Sequence, residues 1–492
     1  MYTKNRRSDC FMKKNDHSIR RKESKIKKVL LTFTLTGALV FSASPFASTY
    51  AKVVETPISY ASNGQSGAPD DQKIIKRVDA ERAVEHIRYL SEEIGPRPGG
   101  LEAEKEAADY VANQLRSHGY DVDYQYFPVA DQFIADVSFT DGNTWQMGAA
   151  ANGKLSDVPV NAEVIEVEGG TEASDFPADA EGKIIFMTRE STTANYRLQV
   201  DNAVNAGASG VILQSVVGSR GNYGSTFNPS LTQEYDIPVF GAAFIQGEWL
   251  KEQLEEGAVE LALTAKQYSN LESVNVIGTK KAKNKKADGK EVILSAHMDS
   301  VVGAPGANDN ASGIGLMLEL ARVFKGYNTD KDLKFIAFGS EERGLLGASY
   351  YVDQLTQEER DNIEAVFNPD MVATKYEEAR NLYAMTVDGN TNVVTDSTVA
   401  AGARLGNSDI LPGKFGSSDH VPFHNAGIPS ALFIWMGIDS WDPLVYHIEK
   451  VYHTPQDTIE DNISTERMQS ALEVIGAGLF DVVRKDVPGL KR

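Results

Sequence analysis

Disulfide scaffolding and thiol catalysis are excluded at the outset, because the 492 residues contain one cysteine, Cys10, near the N-terminus. It lies in a basic leader, so the mature chain has no thiolate to offer as nucleophile or metal ligand. Positive charge is scarce as well: 49 Lys and Arg stand against 69 Asp and Glu, a formal net charge of −20. Residues 1–51 hold eleven Lys and Arg against three Asp and Glu, an excess of eight, so the remainder carries −28. Such a chain is a poor partner for nucleic acid, because phosphate contacts need clustered cations. Long apolar runs are missing too. The single candidate, Val29 to about Ala43, spans about fifteen residues, short of the ~20 that cross a bilayer. It follows the basic stretch ending Lys25-Ile-Lys-Lys28 and precedes small residues around Ala47 and Ala51, the layout of an export signal. The expectation is a signal peptide over 1–51, a linker or propeptide over 52–72, and a secreted bacterial protein. No membrane attachment is expected once the signal is removed, and a monomer is expected.

The rest of the chain has ordinary globular composition and enough length for two or three domains. Apolar residues fall at helical spacing from Val78 to Leu90 and again from Leu101 to His118, with a turn at Ile94-Gly-Pro-Arg97 between them. A strand is predicted over Tyr120–Phe127. From about 130 to 268 the texture changes to short strands, glycines and turns, which predicts a separate inserted domain. From about 269 to 488 strand, loop and helix alternate. Val274–Ile277 and Val292–Ala296 flank the lysine-rich Lys280–Lys290, which reads as a hairpin with a solvated tip.

Chemistry-bearing residues cluster in this last region. His297 closes the apolar run Val292-Ile-Leu-Ser-Ala, with Asp299 two positions on, placed to accept from its second ring nitrogen. Asp309 sits in Gly306-Ala-Asn-Asp-Asn310 ahead of a helix, where it could equally be an N-cap. Glu341 and Glu342 follow the strand Lys334-Phe-Ile-Ala-Phe338. Adjacent side chains on a turning backbone point apart, so one can bind metal while the other faces water. Asp370 follows Phe367-Asn-Pro, and His453 sits in Tyr452-His-Thr-Pro-Gln-Asp457. Each residue alone has an ordinary structural explanation. Together, His297, Asp309, Glu342, Asp370 and His453 read as ligands for two metal ions, and nitrogen and carboxylate donors without sulfur suit zinc. Met371, Phe433, Trp435, Met436 and Trp441 are candidates for an apolar side-chain pocket or for ordinary core. His420, His424 and His447 read as structural neighbours, and His86 and His118 as surface residues.

These strings, with Ser417-Ser-Asp-His-Val-Pro-Phe-His424, resemble the co-catalytic di-zinc aminopeptidase family, relatives of aminopeptidase Y, glutamate carboxypeptidase and the transferrin receptor ectodomain. Residues 130–268 are similar to the protease-associated domain that some members carry. The resemblance implies an α/β fold, a three-layer α/β/α sandwich with a mixed central sheet, interrupted by a mostly β insertion. It implies that Asp309 bridges two Zn²⁺, that His297 and Asp370 complete one site, and that Glu342 and His453 complete the other. The Asp309–Asn310 peptide bond would be cis, as in relatives. Glu341 would be general base toward a water shared by the metals, and Tyr452 would donate to the oxyanion. The expected function is release of N-terminal residues from peptides. A carboxypeptidase or dipeptidase on this scaffold, a one-zinc glutaminyl cyclase relative, and a non-catalytic receptor-like binding protein remain alternatives.

Overall fold

A computed structural model describes residues 71–484, except 219, 220, 222 and 284–286. The expected signal peptide, nearly all of the expected linker and the last residues of the chain lie outside the described residues.

The described strands run in the order β1 (Asp121–Val129), β2 (Gln132–Phe139), β3 (Thr144–Ala149), β4 (Ser156–Glu166), β5 (Ile184–Thr188), β6 (Gly210–Gln214), β7 (Val239–Ala242) and β8 (Glu260–Tyr268). They continue with β9 (Leu271–Lys280), β10 (Glu291–His297), β11 (Asp332–Phe338), β12 (Ile363–Pro369), β13 (Asn381–Thr386), β14 (Ile410–Lys414), β15 (Ser430–Trp441) and β16 (Leu444–His447). One mixed sheet has the order β1-β9-β11-β10-β12-β15-β13-β14, with β16 paired to β15. Its centre, β11-β10-β12-β15, is parallel.

Central placement explains why β10 is buried from Val292 to His297 and mostly apolar. Val292, Leu294 and Ala296 pack on one face with the helices Ala80–Arg88, Glu102–Ser117, Ala311–Phe324 and Thr465–Val482. Ile293 points to the other face, against Ala348, Tyr351, Val352 and Phe423 of the helices Leu346–Gln354 and His420–Asn425. A strand covered on both sides loses the alternation of a half-buried one. The helix Ala311–Phe324 is enclosed likewise: all its residues except Arg322 are buried. Fully burying each Leu or Ile there contributes about 1.5–3 kcal/mol.

The lysine-rich segment is not a hairpin. β9 and β10 are not neighbours, because β11 lies between them, antiparallel to β9 and parallel to β10. Both edges of β10 are taken by parallel partners, so the chain must cross over. The lysines at its ends are anchored: Lys280 donates to the carbonyl of Phe324 at 2.5 Å, and Lys290 to that of Asp361 at 2.6 Å.

β2 to β8 close into a barrel in the order β2-β3-β7-β6-β5-β4-β8. It leaves and rejoins the large sheet at one place. Val129 pairs with Leu271 in the sheet and Gln132 with Tyr268 in the barrel, so the same two chain segments run from one into the other. The barrel also contacts the large-sheet part elsewhere: Thr226 Oγ1 donates to the carbonyl of Val302 at 2.9 Å, and the Tyr223 amide to that of Lys450 at 2.6 Å.

Candidate metal centre and substrate cavity

The C-terminal ends of β10, β11 and β12 lie side by side, the edge where open α/β sheets build their sites. His297 is the last residue of β10, Glu341 and Glu342 follow β11, and Asp370 follows β12. Asp309 comes from the loop after β10 and His453 from the loop after β16. Asn310, not Asp309, caps the helix Ala311–Phe324, accepting from the Gly313 amide at 2.8 Å. The neighbour takes the capping role, and the Asp309 carboxylate stays available. The Asp309–Asn310 bond is cis. Four of the five described non-glycine residues with positive φ belong to these loops: Ser340, Leu345, Met371 and His453. Left-handed backbone at such residues persists only where surroundings impose it.

All five sequence-selected metal candidates meet. His297 Nε2 is 3.2 Å from Asp309 Oδ1 and 3.5 Å from Asp370 Oδ1. On the other side, His453 Nε2 is 3.0 Å from Asp309 Oδ2 and 3.0 Å from Glu342 Oε2. The two oxygens of Asp309 therefore face two different triads. Glu341 Oε2 stands 4.0 Å from His297 Nε2. The Tyr452 ring stacks on His453 with centroids 3.7 Å apart.

Neighbours hold these groups in place. Asp299 contacts His297 Nδ1 chiefly through its own carbonyl, at 3.2 Å, with its carboxylate at 3.5 Å. That carboxylate instead accepts the amides of Glu341 and Glu342 at 3.0 and 3.2 Å, so one residue locks two ligand loops. Asp457 does the same for Asn308 and Asp309, accepting their amides at 2.9 and 3.0 Å. Ser418 donates to Asp370 Oδ2 at 2.7 Å. Buried Glu104 accepts from Gly100, Ser273 and Ser340, pinning the turn before Glu341. Buried Arg97 donates to the carbonyls of Met298, Leu90, Gly95, Pro305 and Gly306, tying the N-terminal turn to the loop that leads to Asp309. Asp457 and Ser418 both lie inside motifs legible in the sequence, but nothing in their spacing assigns them a task.

The donor set fits a metal. His297 Nε2, Glu342 Oε1 and Asp370 Oδ1 are buried without any hydrogen-bond partner. Three groups bring their ligand atoms within 4.8 Å of one another, His297-Asp309-Asp370, Asp309-Glu342-His453 and His297-Glu341-Glu342, and the first two share Asp309. The protonation balance agrees. Burial, then the neighbouring carboxylates Glu342, Asp419 and Asp370, push Glu341 well above the usual carboxylate range, against the pull of His297. Burial likewise carries Glu342 to about 7. Both imidazoles are driven upward: burial opposes this, but the acids around them overcome it. So many acids do not share one buried site as anions unless cations are supplied.

A cavity of about 800 Å³ opens beside the cluster. β15 explains its wall: Leu432, Ile434 and Met436 face the cavity, while Phe433 and Trp435 point into the main core. Of the five candidates for an apolar pocket, Met371, Met436 and Trp441 line it and the other two do not. Alternation along a strand, invisible without its register, separates them. Among the other histidines, buried His420 meets the Phe415 carbonyl at 2.8 Å, and His86 is half-buried against the Tyr110 hydroxyl at 2.7 Å, not a free surface residue.

Residues 275–478 match the model for peptidase family M28, and residues 155–250 match the PA domain. Aminopeptidase YwaD of Bacillus subtilis (strain 168) is 40% identical over 408 residues, 83% of this chain and 86% of its own. The chain belongs to peptidase family M28. Among solved structures, this M28 chain is similar to BSAP, a zinc aminopeptidase from Bacillus subtilis, at 40% identity and TM-score 0.60, over 83% of this chain and 96% of that one. The aminopeptidase from Aneurinibacillus sp. strain AM-1 is 33% identical with TM-score 0.54, over 85% and 97%. The M28 part and the inserted PA domain together account for the fold described above.

Proposed function

We propose that this chain is a secreted zinc aminopeptidase that releases N-terminal residues from peptides, working with two zinc ions per chain and as a monomer. Membership of M28 and the aminopeptidase relatives support the reaction class. The single observation that carries the two-metal reading is Asp309, whose two oxygens face two different ligand groups, one with His297 and Asp370 and one with Glu342 and His453. His297 and Asp370 would hold one ion with it, and Glu342 and His453 the other. When bound, the zinc ions supply Lewis-acid activation of water and of the scissile carbonyl.

The chain's own groups do the rest. Glu341, which lines the cavity, accepts a proton from the attacking water and returns it to the leaving amine. The Tyr452 phenol, held by stacking on His453, donates to the oxygen that gains charge. The apolar wall of Leu432, Ile434 and Met436 receives the substrate's N-terminal side chain and excludes water. The basic and apolar leader supports export. Metal analysis of the purified protein, with hydrolysis of leucine p-nitroanilide before and after chelation, tests the reading. Two zinc ions per chain and chelator-sensitive release are expected. A fully loaded protein that cleaves carboxyl-terminal but no amino-terminal substrates would overturn it.

A further inference from the structure

The cavity carries four carboxylates, Asp309, Glu341, Glu342 and Asp370, all belonging to the metal cluster. Among its described lining residues there is one Lys or Arg, Lys414. It ends β14 and leads into Phe415-Gly-Ser417, a turn that also lines the cavity and is fixed by the Phe415 amide donating to the Thr386 carbonyl at 3.1 Å. The aliphatic stem of Lys414 lies against Gly389, where an added Cβ would meet its Cβ and Cδ at 3.4 Å. Among the described residues the Lys414 ammonium has no hydrogen-bond or ion-pair partner. Lys414 is an exposed residue, whereas cations held further into the fold are paired, Arg404 with Asp71 and Asp481, Lys331 with Glu364 and Lys334 with Glu291. A partnerless cation in a reaction cavity otherwise dominated by acids creates a charge pattern of its own, negative at the cluster and positive at the β14 wall.

A short peptide is a zwitterion that matches this pattern, with its ammonium end at the acids and a carboxylate further along. The volume, about 800 Å³, is in the upper part of the ~300–1,000 Å³ range of small-ligand sites and leaves room beyond one side chain. We propose that Lys414 is a specificity residue that receives a carboxylate of the bound peptide. The inference rests on the aminopeptidase reading. Two sources share this chemistry, the free C-terminus of a di- or tripeptide and an acidic side chain on the N-terminal residue.

The test compares kcat/KM for Leu-Leu against Leu-Leu-amide, and for Glu-p-nitroanilide against Gln-p-nitroanilide, in wild type, Lys414→Met and Lys414→Arg. A fall of roughly three- to tenfold in one ratio in Lys414→Met, restored by Lys414→Arg, is expected. The ratio that falls identifies the source. Calorimetric binding of a reduced-bond Leu-Leu analogue and its amide gives a readout independent of turnover and should show the same discrimination. Both ratios unchanged in Lys414→Met, with wild type still cleaving Leu-Leu-amide, would overturn this proposal and leave the aminopeptidase reading intact. Wild type cleaving none of the four would overturn that reading itself.

Discussion

Between Gln132 and Tyr268 the barrel buries Gln199, Gln214, Ser215 and Gln246 as its polar side chains among the described residues, and neither a carboxylate nor a histidine. At the C-terminal edge of the large sheet, His297, Asp299, Asp309, Asp370, Asp419, Glu449 and Asp457 are all buried. The barrel interior is instead filled by groups such as Ile184, Phe186, Ile212, Phe240 and Leu263. Burying an unpaired charge is expensive, so a fold that only needs to hold its shape avoids it. A crowd of buried acids is tolerable where a cation completes it. The contrast separates a region built for packing from one built for chemistry, within a single chain.

The sharpest way to break this contrast is at Glu341. Glu341→Gln removes the proposed base but keeps its volume, and kcat should fall by roughly 10²–10⁴. Zinc content should be unchanged. Activity near wild type would remove the chemical role from that side of the comparison. On the packing side, Phe240→Ala should cost about 3–5 kcal/mol of unfolding free energy in denaturant titration, because it opens a cavity in the barrel. Metal stoichiometry of the folded fraction should not change; a loss of zinc would mean that the two regions are not separable in this way.

Smaller effects probe the supports. Asp457→Asn turns one acceptor of the Asn308 and Asp309 amides into a donor, so zinc affinity measured by competition with a chelator should drop about 10–100-fold. Glu449 tests the cost of a buried acid directly. Burial, then nearby Asp457, raises its carboxyl from 4.5 to about 8. Its Oε1 accepts from Asn308 and Asn462, while Oε2 has no partner. The folded state thus holds a proton that the unfolded state releases. The stability gained is fully present below about pH 4.5 and is lost as pH rises to about 8. Glu449→Gln should flatten that part of the pH–Tm profile, with the gain over wild type largest near pH 8. A mutant curve parallel to wild type would count against it.

Much of the site could be read from the chain because its residues are attached to local patterns. His297, Glu341, Glu342 and Asp370 sit just beyond apolar strands, and strand ends can be located from hydrophobicity alone. The misreadings came from pairing. The Lys280–Lys290 segment looks like a hairpin locally, and only the insertion of β11 between its flanking strands shows otherwise. Phe433 and Trp435 resemble Met436 in character but face the other way, because register sends alternate residues to opposite sides. Asp457 and Glu104 act through amides and hydroxyls supplied by distant segments, and no spacing rule reports such bonds.

Residue types and their order determined the donor chemistry, the lack of cysteine beyond the leader, the acidic surface and the strand-loop-helix rhythm, since these depend on composition and on neighbours along the chain. Tertiary structure decided which oxygen of Asp309 meets which imidazole, which residues of β15 face the cavity, and where Lys414 stands. Those are distances between segments far apart in sequence, fixed only when the chain packs.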